Sequence, residues 1–397
     1  MQRTTGVKIY GIRGPVIQQG DNLVNIVVDS LLDSCEAEEI TLKERDILGT
    51  TESTLARSQG NYVDTNQIAN EVNRKLGADF TVVNPILSRN RFAPILKGLA
   101  RGADKLTLAL SYPADEVGNP IMPEEKMDEL EINPRTRVFT IDEYRLLFSR
   151  KEVVHPFTGV DYLDLYHGII SDESCEPTIL LVNDLTQLNH DNPILVASIH
   201  ARKKTKRLLK KQGAKTVLGL DDLCNESVNG GGYCPDFGLL GSNLAGNERL
   251  KLFPHSSQNY VNAVQQEIKK RTGVTVEVLV YGDGAFRCPR SNIWEFADPE
   301  VCPAYTSGLE GQPNELKFKY HADTELGDLR GPEAENRIRL LIKNKSANLV
   351  GQISSQGTTP RRLTDLLGSL CDLTTGSGDK GTPFVLIKGY FDTYADQ

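Results

Sequence analysis

The sequence predicts a chain of mixed strands and helices with a long inserted region in its middle. Three observations point there. Strand-like and helix-like patterns alternate from the N-terminus. The character of the text changes between about residues 85 and 230. Beyond 230 the chain returns to helices and strands joined by Gly- and Asp-rich loops.

The elements follow in order. Val7, Ile9 and Ile12 read as a strand that Gly14-Pro15 ends, and Gly20-Asp21 leads into a helix. Its apolar residues Leu23, Ile26, Val27 and Leu31 recur at helical spacing, and Asp21 or Asn22 can cap it. Residues 46–49 form a second strand, followed by a polar turn at 50–54. In the middle region 105–110, 178–182 and 194–199 are strand candidates, and 113–156 is a long polar stretch rich in proline. The basic run at 200–211 is a solvated helix with Leu208 and Leu209 facing inward. A helix over 256–272 stops at Gly273, and Val274, Val276, Val278 and Val280 then alternate as a strand. Thr359-Pro360 opens a last helix with a leucine stripe, and a glycine-rich turn at 376–381 leads into the strand 384–388. This organisation gives a discontinuous domain of residues 1–84 and 230–397, with 85–229 as an insertion.

Composition excludes several classes. Apolar residues make up 39% of 397 and charged residues 25%, enough to bury a core. The formal charge of −8 shows no bulk nucleic-acid footprint. No apolar run approaches the roughly 20 residues that span a bilayer, and the first residues lack a secretory h-region. A cytoplasmic protein is the expectation, contacting neither nucleic acid nor membrane. Seven cysteines without a C-x-x-C pair give neither a disulfide framework nor a zinc site.

The chemistry-bearing residues cluster in the last third. Residues 376–381 satisfy G-x-G-x-x-G, but a helix precedes them and a strand follows, the reverse of a dinucleotide fingerprint. What survives is a turn that brings backbone amides, Asp379 and Lys380 toward phosphate or metal, or an ordinary surface connection. Asp283 stands at a strand end between Gly282 and Gly284, a placement that suits a hard divalent cation or a simple turn aspartate. Arg287 can hold a phosphate or carboxylate bidentately, and Asp236 lies in a similar loop. Arg89, Arg91, Lys97 and Arg101 either receive an anionic substrate or form a solvated face.

Taken in order, these motifs resemble a family. Gly14-Pro15-Val16-Ile17, then Gly20-Asp21, then the run from Glu52 through Ser53 and Arg57 to Gly60 look like the N-terminal part of the coenzyme F420:L-glutamate ligases. The Gly238–Asn243 segment, the 276–287 strand and loop, and the 376–383 loop are similar to that family's later motifs. The resemblance implies an α+β fold of mixed sheets and packed helices, commonly a homodimer, with an inserted α/β region here. It implies GTP- or ATP-dependent joining of L-glutamate to a carboxylate acceptor through an acyl phosphate, with Mg²⁺ or Mn²⁺. Carried over by position, Gly14, Pro15, Val16, Ile17, Glu52, Ser53, Arg57 and Asn243 line the nucleotide. Asp283, Asp379 and Asp236 hold metal, Lys380 and Arg287 act on the phosphates, and Arg89 and Arg91 meet substrate carboxylates. Leu240 stands where the family has its first metal aspartate, Ser377 where it has a glutamate, and Arg57 where it has a lysine. Three alternatives remain at this point: a nucleotide-binding regulatory protein, a phosphotransferase, and a ligase acting on a folate or another acceptor.

Overall fold

The computed structural model describes residues 5–228, 230–284, 298–355, 361–374 and 378–396. It is an α+β protein of mixed sheets with packed helices, built on three sheets. The central one has five strands in the order Lys8–Ile12, Phe384–Lys388, Ile47–Thr51, Glu277–Tyr281 and Ala304–Tyr305. Only Ile47–Thr51 and Glu277–Tyr281 run parallel, with Thr51 opposite Tyr281 at their C-terminal ends.

Both faces of this sheet are covered. Leu48, Val278 and Val280 point toward the helices Leu23–Ala37 and Ser257–Thr272, and Ile47, Leu279 and Tyr281 toward the helix Leu363–Thr374. That explains why both parallel strands are buried at every position rather than half-solvated. Asn22 caps the first helix by accepting from the amide of Asn25, and Gly273 ends the second at φ +76°. The expected polar turn at 50–54 is not a turn. The strand runs to Thr51, and a helix, Glu52–Ser58, begins at the next residue.

The six-stranded sheet has the order Phe139–Thr140, Glu176–Leu181, Lys105–Leu110, Asp79–Val83, Ile194–Val196, Val217–Gly219, parallel except at its first edge. Helices Phe92–Arg101, Tyr162–Asp172 and Arg202–Lys211 cross between its strands. Its strands therefore span 79–219, starting ahead of the insertion boundary at 85. Leu250 and Leu252 also pack into its core, so the chain beyond 230 contributes to both layers.

Two local expectations change. Leu209 of the basic helix is buried, but Leu208 is 43% exposed. The proline-rich stretch contains the helices Glu124–Glu129 and Ile141–Leu147, and it buries Phe139, Tyr144 and Phe148. The third sheet joins Asn243–Leu244, Arg249–Lys251 and Tyr62–Asp64. Thr359 and Pro360 lie outside the described residues. No described helix is long and apolar enough to cross a membrane.

Candidate active site

Two adjacent parallel strands deliver their following residues to one place, the region beyond their C-terminal ends. Glu52 follows the first directly, and Asp283 follows the second by two residues. The small third sheet carries Lys251 to Glu52. Its ammonium donates to both carboxylate oxygens at 3.0 and 3.1 Å, and both side chains are buried. Burial pushes the Glu52 carboxyl above its ordinary range, with Lys251 opposing and Asp298 adding to the rise. Asn243 stands opposite Lys251 in the ladder, so it flanks the same pair.

Arg91 enters from the other sheet system, just ahead of the helix Phe92–Arg101. Its Nη1 donates to Asp298 Oδ1 at 2.6 Å and to the Gly241 carbonyl at 3.1 Å, and its Nη2 to Asp283 Oδ2 at 2.5 Å. Asp298 Oδ2 accepts the Asp283 amide at 2.8 Å, so one carboxylate fixes both the arginine and the loop. Gly282 is required there, since a Cβ would fall 2.3 Å from Asp298 Oδ2. The Gly284 amide donates to Asp372 Oδ2 at 2.9 Å. Glu52, Asp283 and Asp298 thus gather around Arg91 and Lys251, and Asp372 lies beside Asp283.

The crowding of carboxylates shows in Asp283. Burial first, then the Asp298 charge, push its carboxyl from 3.8 up to about 7, while Arg91 pulls the other way and Asp372 and Glu52 add to the rise. Its side chain keeps 41% exposure, so a ligand can reach it. A carboxyl raised on folding contributes stability fully present below its unfolded value and lost as pH rises through the folded one. From pH 5 to 8 the wild type is therefore expected to lose stability relative to Asp283→Asn, read as the difference in urea midpoints. Parallel curves for the two proteins would refute the shift.

Asp236, Asp283 and Asp379, the expected metal carboxylates, do not converge. Among the described residues no three His, Cys, Asp or Glu side chains form a metal-holding group. Asp236 is exposed on a loop tied to the end of the six-stranded sheet, where the Leu239 amide donates to the Leu220 carbonyl. Asp379 is exposed on a turn closed by Gly381 N to Gly378 O. That turn, with exposed Lys380, lies against the Gly14 loop, because the Gly14 amide donates to the Gly381 carbonyl at 3.2 Å. A Cβ at position 14 would sit 2.7 Å from the Phe384 ring. Gly14→Ala is expected to push the two loops apart and weaken nucleotide binding at least tenfold by calorimetry. Unchanged affinity would remove this loop from the site.

The remaining candidates divide. Within the Gly14 loop Pro15 adjoins Gly14, Val16 is 76% exposed and Ile17 is buried. Ser53 is half-buried and Arg57 exposed on the helix after Glu52. Arg89 points outward, where its charge is felt by His155 and Tyr162, while Arg91 points in. Lys97 and Arg101 are taken up by Glu173 and Glu248. Leu240 is buried and shares with Arg91 a small apolar cavity of about 30 Å³. Arg287 and Ser377 lie outside the described residues. A larger cleft of about 520 Å³, between the C-terminal tail and the region 308–318, shares no residue with the acidic group.

Asp298, Asp372 and Lys251 were invisible as site residues in the sequence. Only Lys251 carried a signal, a lone lysine among Leu250, Leu252 and Phe253 that has to be paired if the strand is buried.

No curated protein matches the chain. A family model described as F420-0:gamma-glutamyl ligase matches residues 11–389, nearly its whole length. The chain belongs to the F420-0:gamma-glutamyl ligase family.

Proposed function

We propose that this protein is a nucleotide-driven ligase that joins the amine of L-glutamate to a carboxylate acceptor, coenzyme F420-0 being the one its family name indicates. The observation that carries the reading is the charged group at the ends of the two parallel strands, with Asp283 open to solvent and the carboxylates of Asp298, Asp372 and Glu52 near it. The acceptor carboxylate attacks the γ-phosphoryl group of GTP or ATP, giving an acyl phosphate and the nucleoside diphosphate. The glutamate amine then attacks the acyl carbon, phosphate leaves, and the amine gives up a proton.

The residues fit one Mg²⁺ or Mn²⁺. Such ions prefer carboxylate oxygens, keep several waters, and take only one or two protein carboxylates besides the phosphates. Asp283, with Asp372 beside it, would hold the ion, and the missing three-carboxylate cage is no obstacle. The bound ion supplies neutralisation of the triphosphate. The chain's own groups do the rest. The Gly14 loop brings backbone close to the nucleotide. Lys380 and Arg57, both exposed cations, meet phosphate oxygens, and the Glu52–Lys251 pair fixes the floor beneath them. Arg91 holds Asp283 in place.

The test is incubation with each nucleotide, Mg²⁺ or Mn²⁺, L-glutamate and coenzyme F420-0, with the product read by mass. An amide product with stoichiometric phosphate is expected, and Asp283→Asn should lower its rate at least 100-fold. Phosphate release without amide refutes the ligase reading, and so does full activity in Asp283→Asn.

A further inference from the structure

We infer that the cleft of about 520 Å³ at the far end of the central sheet is a second ligand site, and that it takes a small zwitterion carrying an aromatic ring, a free aromatic amino acid. The site stands apart from the charged centre, and the inference does not depend on the reaction proposed above.

The sheet fixes the position. Arg45 stands two residues ahead of the strand Ile47–Thr51, and Tyr390 two residues beyond Phe384–Lys388. These strands are antiparallel neighbours with Ile387 opposite Ile47, so both residues fall at one end of the sheet. Glu52 and Asp283 fall at the other. Five residues of strand separate the two ends, roughly 16 Å at about 3.3 Å per residue. A ligand in the cleft touches no group of the centre. The volume lies within the roughly 300–1,000 Å³ of pockets that enclose small molecules, whereas the cavity beside Arg91 offers about 30 Å³.

The walls favour a flat ring. Four aromatic side chains line the cleft in two edge-to-face pairs, Tyr390 with Phe391 and Phe318 with Tyr394, each with ring centres 5.5 Å apart. Phe318 is 46% exposed and Tyr394 43%, so these rings are not spent on the core. A ring that enters has faces and edges to pack against in the geometries aromatic pairs prefer.

The charges favour a zwitterion. Arg45 holds its guanidinium 3.7 Å from the centre of the Phe391 ring and donates to the Gly308 carbonyl at 3.3 Å. Lys345 donates to the Asn314 carbonyl at 2.5 Å. Among the described residues neither cation meets a carboxylate, and neither Glu310 nor Glu315, which line the same cleft, meets a cation. Glu315 lies close enough to Tyr390 for its charge to add to the rise that burial imposes on the phenol. One cleft thus holds two cations and two carboxylates that do not pair with each other. An amino acid satisfies both signs, its carboxylate on the Arg45 fork and its ammonium on Glu315. A nucleotide would bring several negative charges against Glu310 and Glu315, which separates this site from one for the triphosphate.

The experiment is a binding titration. The full-length protein is titrated by calorimetry with L-phenylalanine, L-tyrosine and L-tryptophan. Three comparators each lack one feature: 3-phenylpropionate the ammonium, phenethylamine the carboxylate and L-leucine the aromatic ring. At least one aromatic amino acid should bind at least tenfold more tightly than every comparator. Its affinity should be unchanged by saturating L-glutamate and a non-hydrolysable nucleotide, and should fall at least tenfold in Arg45→Ala and in Glu315→Gln. Binding by none of the three overturns the inference on the wild type alone, which covers a variant that fails to fold. A comparator that binds as tightly, competition by glutamate or nucleotide, or full affinity in both variants also overturns it. No amide need form in any titration, so the result stands or falls separately from the ligase reading.

Discussion

Replacing Asp298 by alanine is expected to cost about 3–5 kcal/mol of folding stability, the usual penalty for stripping one partner from a buried ion pair. Asp298 is 1% exposed and accepts from both Arg91, at 2.6 Å, and the Asp283 amide, at 2.8 Å. Its removal leaves the guanidinium with half its neutralisation in a place water hardly reaches, and it frees the loop that presents Asp283. Urea denaturation at pH 7 reads the effect. Asp298→Asn, which keeps the shape and one acceptor, should lose less. A loss below about 1 kcal/mol for the alanine variant would mean that Arg91 finds another partner and that the bridge is not structural.

The second large effect is expected at Lys251. Both members of the Glu52–Lys251 pair are buried, and Lys251→Met leaves the carboxylate without its counter-ion, again at about 3–5 kcal/mol near neutral pH. The pH dependence gives the sign. Burial already holds the Glu52 carboxyl above its ordinary 4.5, and losing Lys251 removes the main influence that opposes the rise. A carboxyl raised on folding stabilises the native state fully below its unfolded value and ceases to do so as pH climbs through the folded one. Between pH 7 and pH 5 Lys251→Met should therefore gain more stability than the wild type does. The double variant Glu52→Gln/Lys251→Met should sit well above the single one, and the cycle of four proteins yields the coupling. Equal losses at both pH values would show that packing, not charge, accounts for the cost.

The pattern of legibility has physical causes. Elements written by local periodicity came through: the capped helix at Leu23, the helix closed by Gly273, and the strands Lys105–Leu110 and Phe384–Lys388. The stretch at 50–54 did not, because Thr and Ser suit a turn, a strand end and a helix N-terminus alike, and burial between two strands decided among them. At the site, the glycine flanks marked Asp283 correctly as a place of close approach, but the approach is by Asp298 from its own loop. Asp236 and Asp379 carry the same local signature, yet one closes against the six-stranded sheet and the other faces solvent. Arg89 and Arg91 differ only by which side of a turn they occupy, a distinction of orientation that spacing does not encode. The contacts that make the group were unreadable because Arg91, Lys251, Asp298 and Asp372 lie up to 281 positions apart in the chain.

The central sheet pairs the strand Lys8–Ile12 with Phe384–Lys388, the first of the described strands with the last. Synthesis runs from the N-terminus, so the strands of the six-stranded sheet, 79–219, and the Leu250 and Leu252 that pack on it are made while the central sheet still lacks its closing member. The charged centre can assemble only after the strand Phe384–Lys388 has been made, and nascent chains stalled before residue 384 should be protease-resistant in their middle third while their first 60 residues stay open to cleavage.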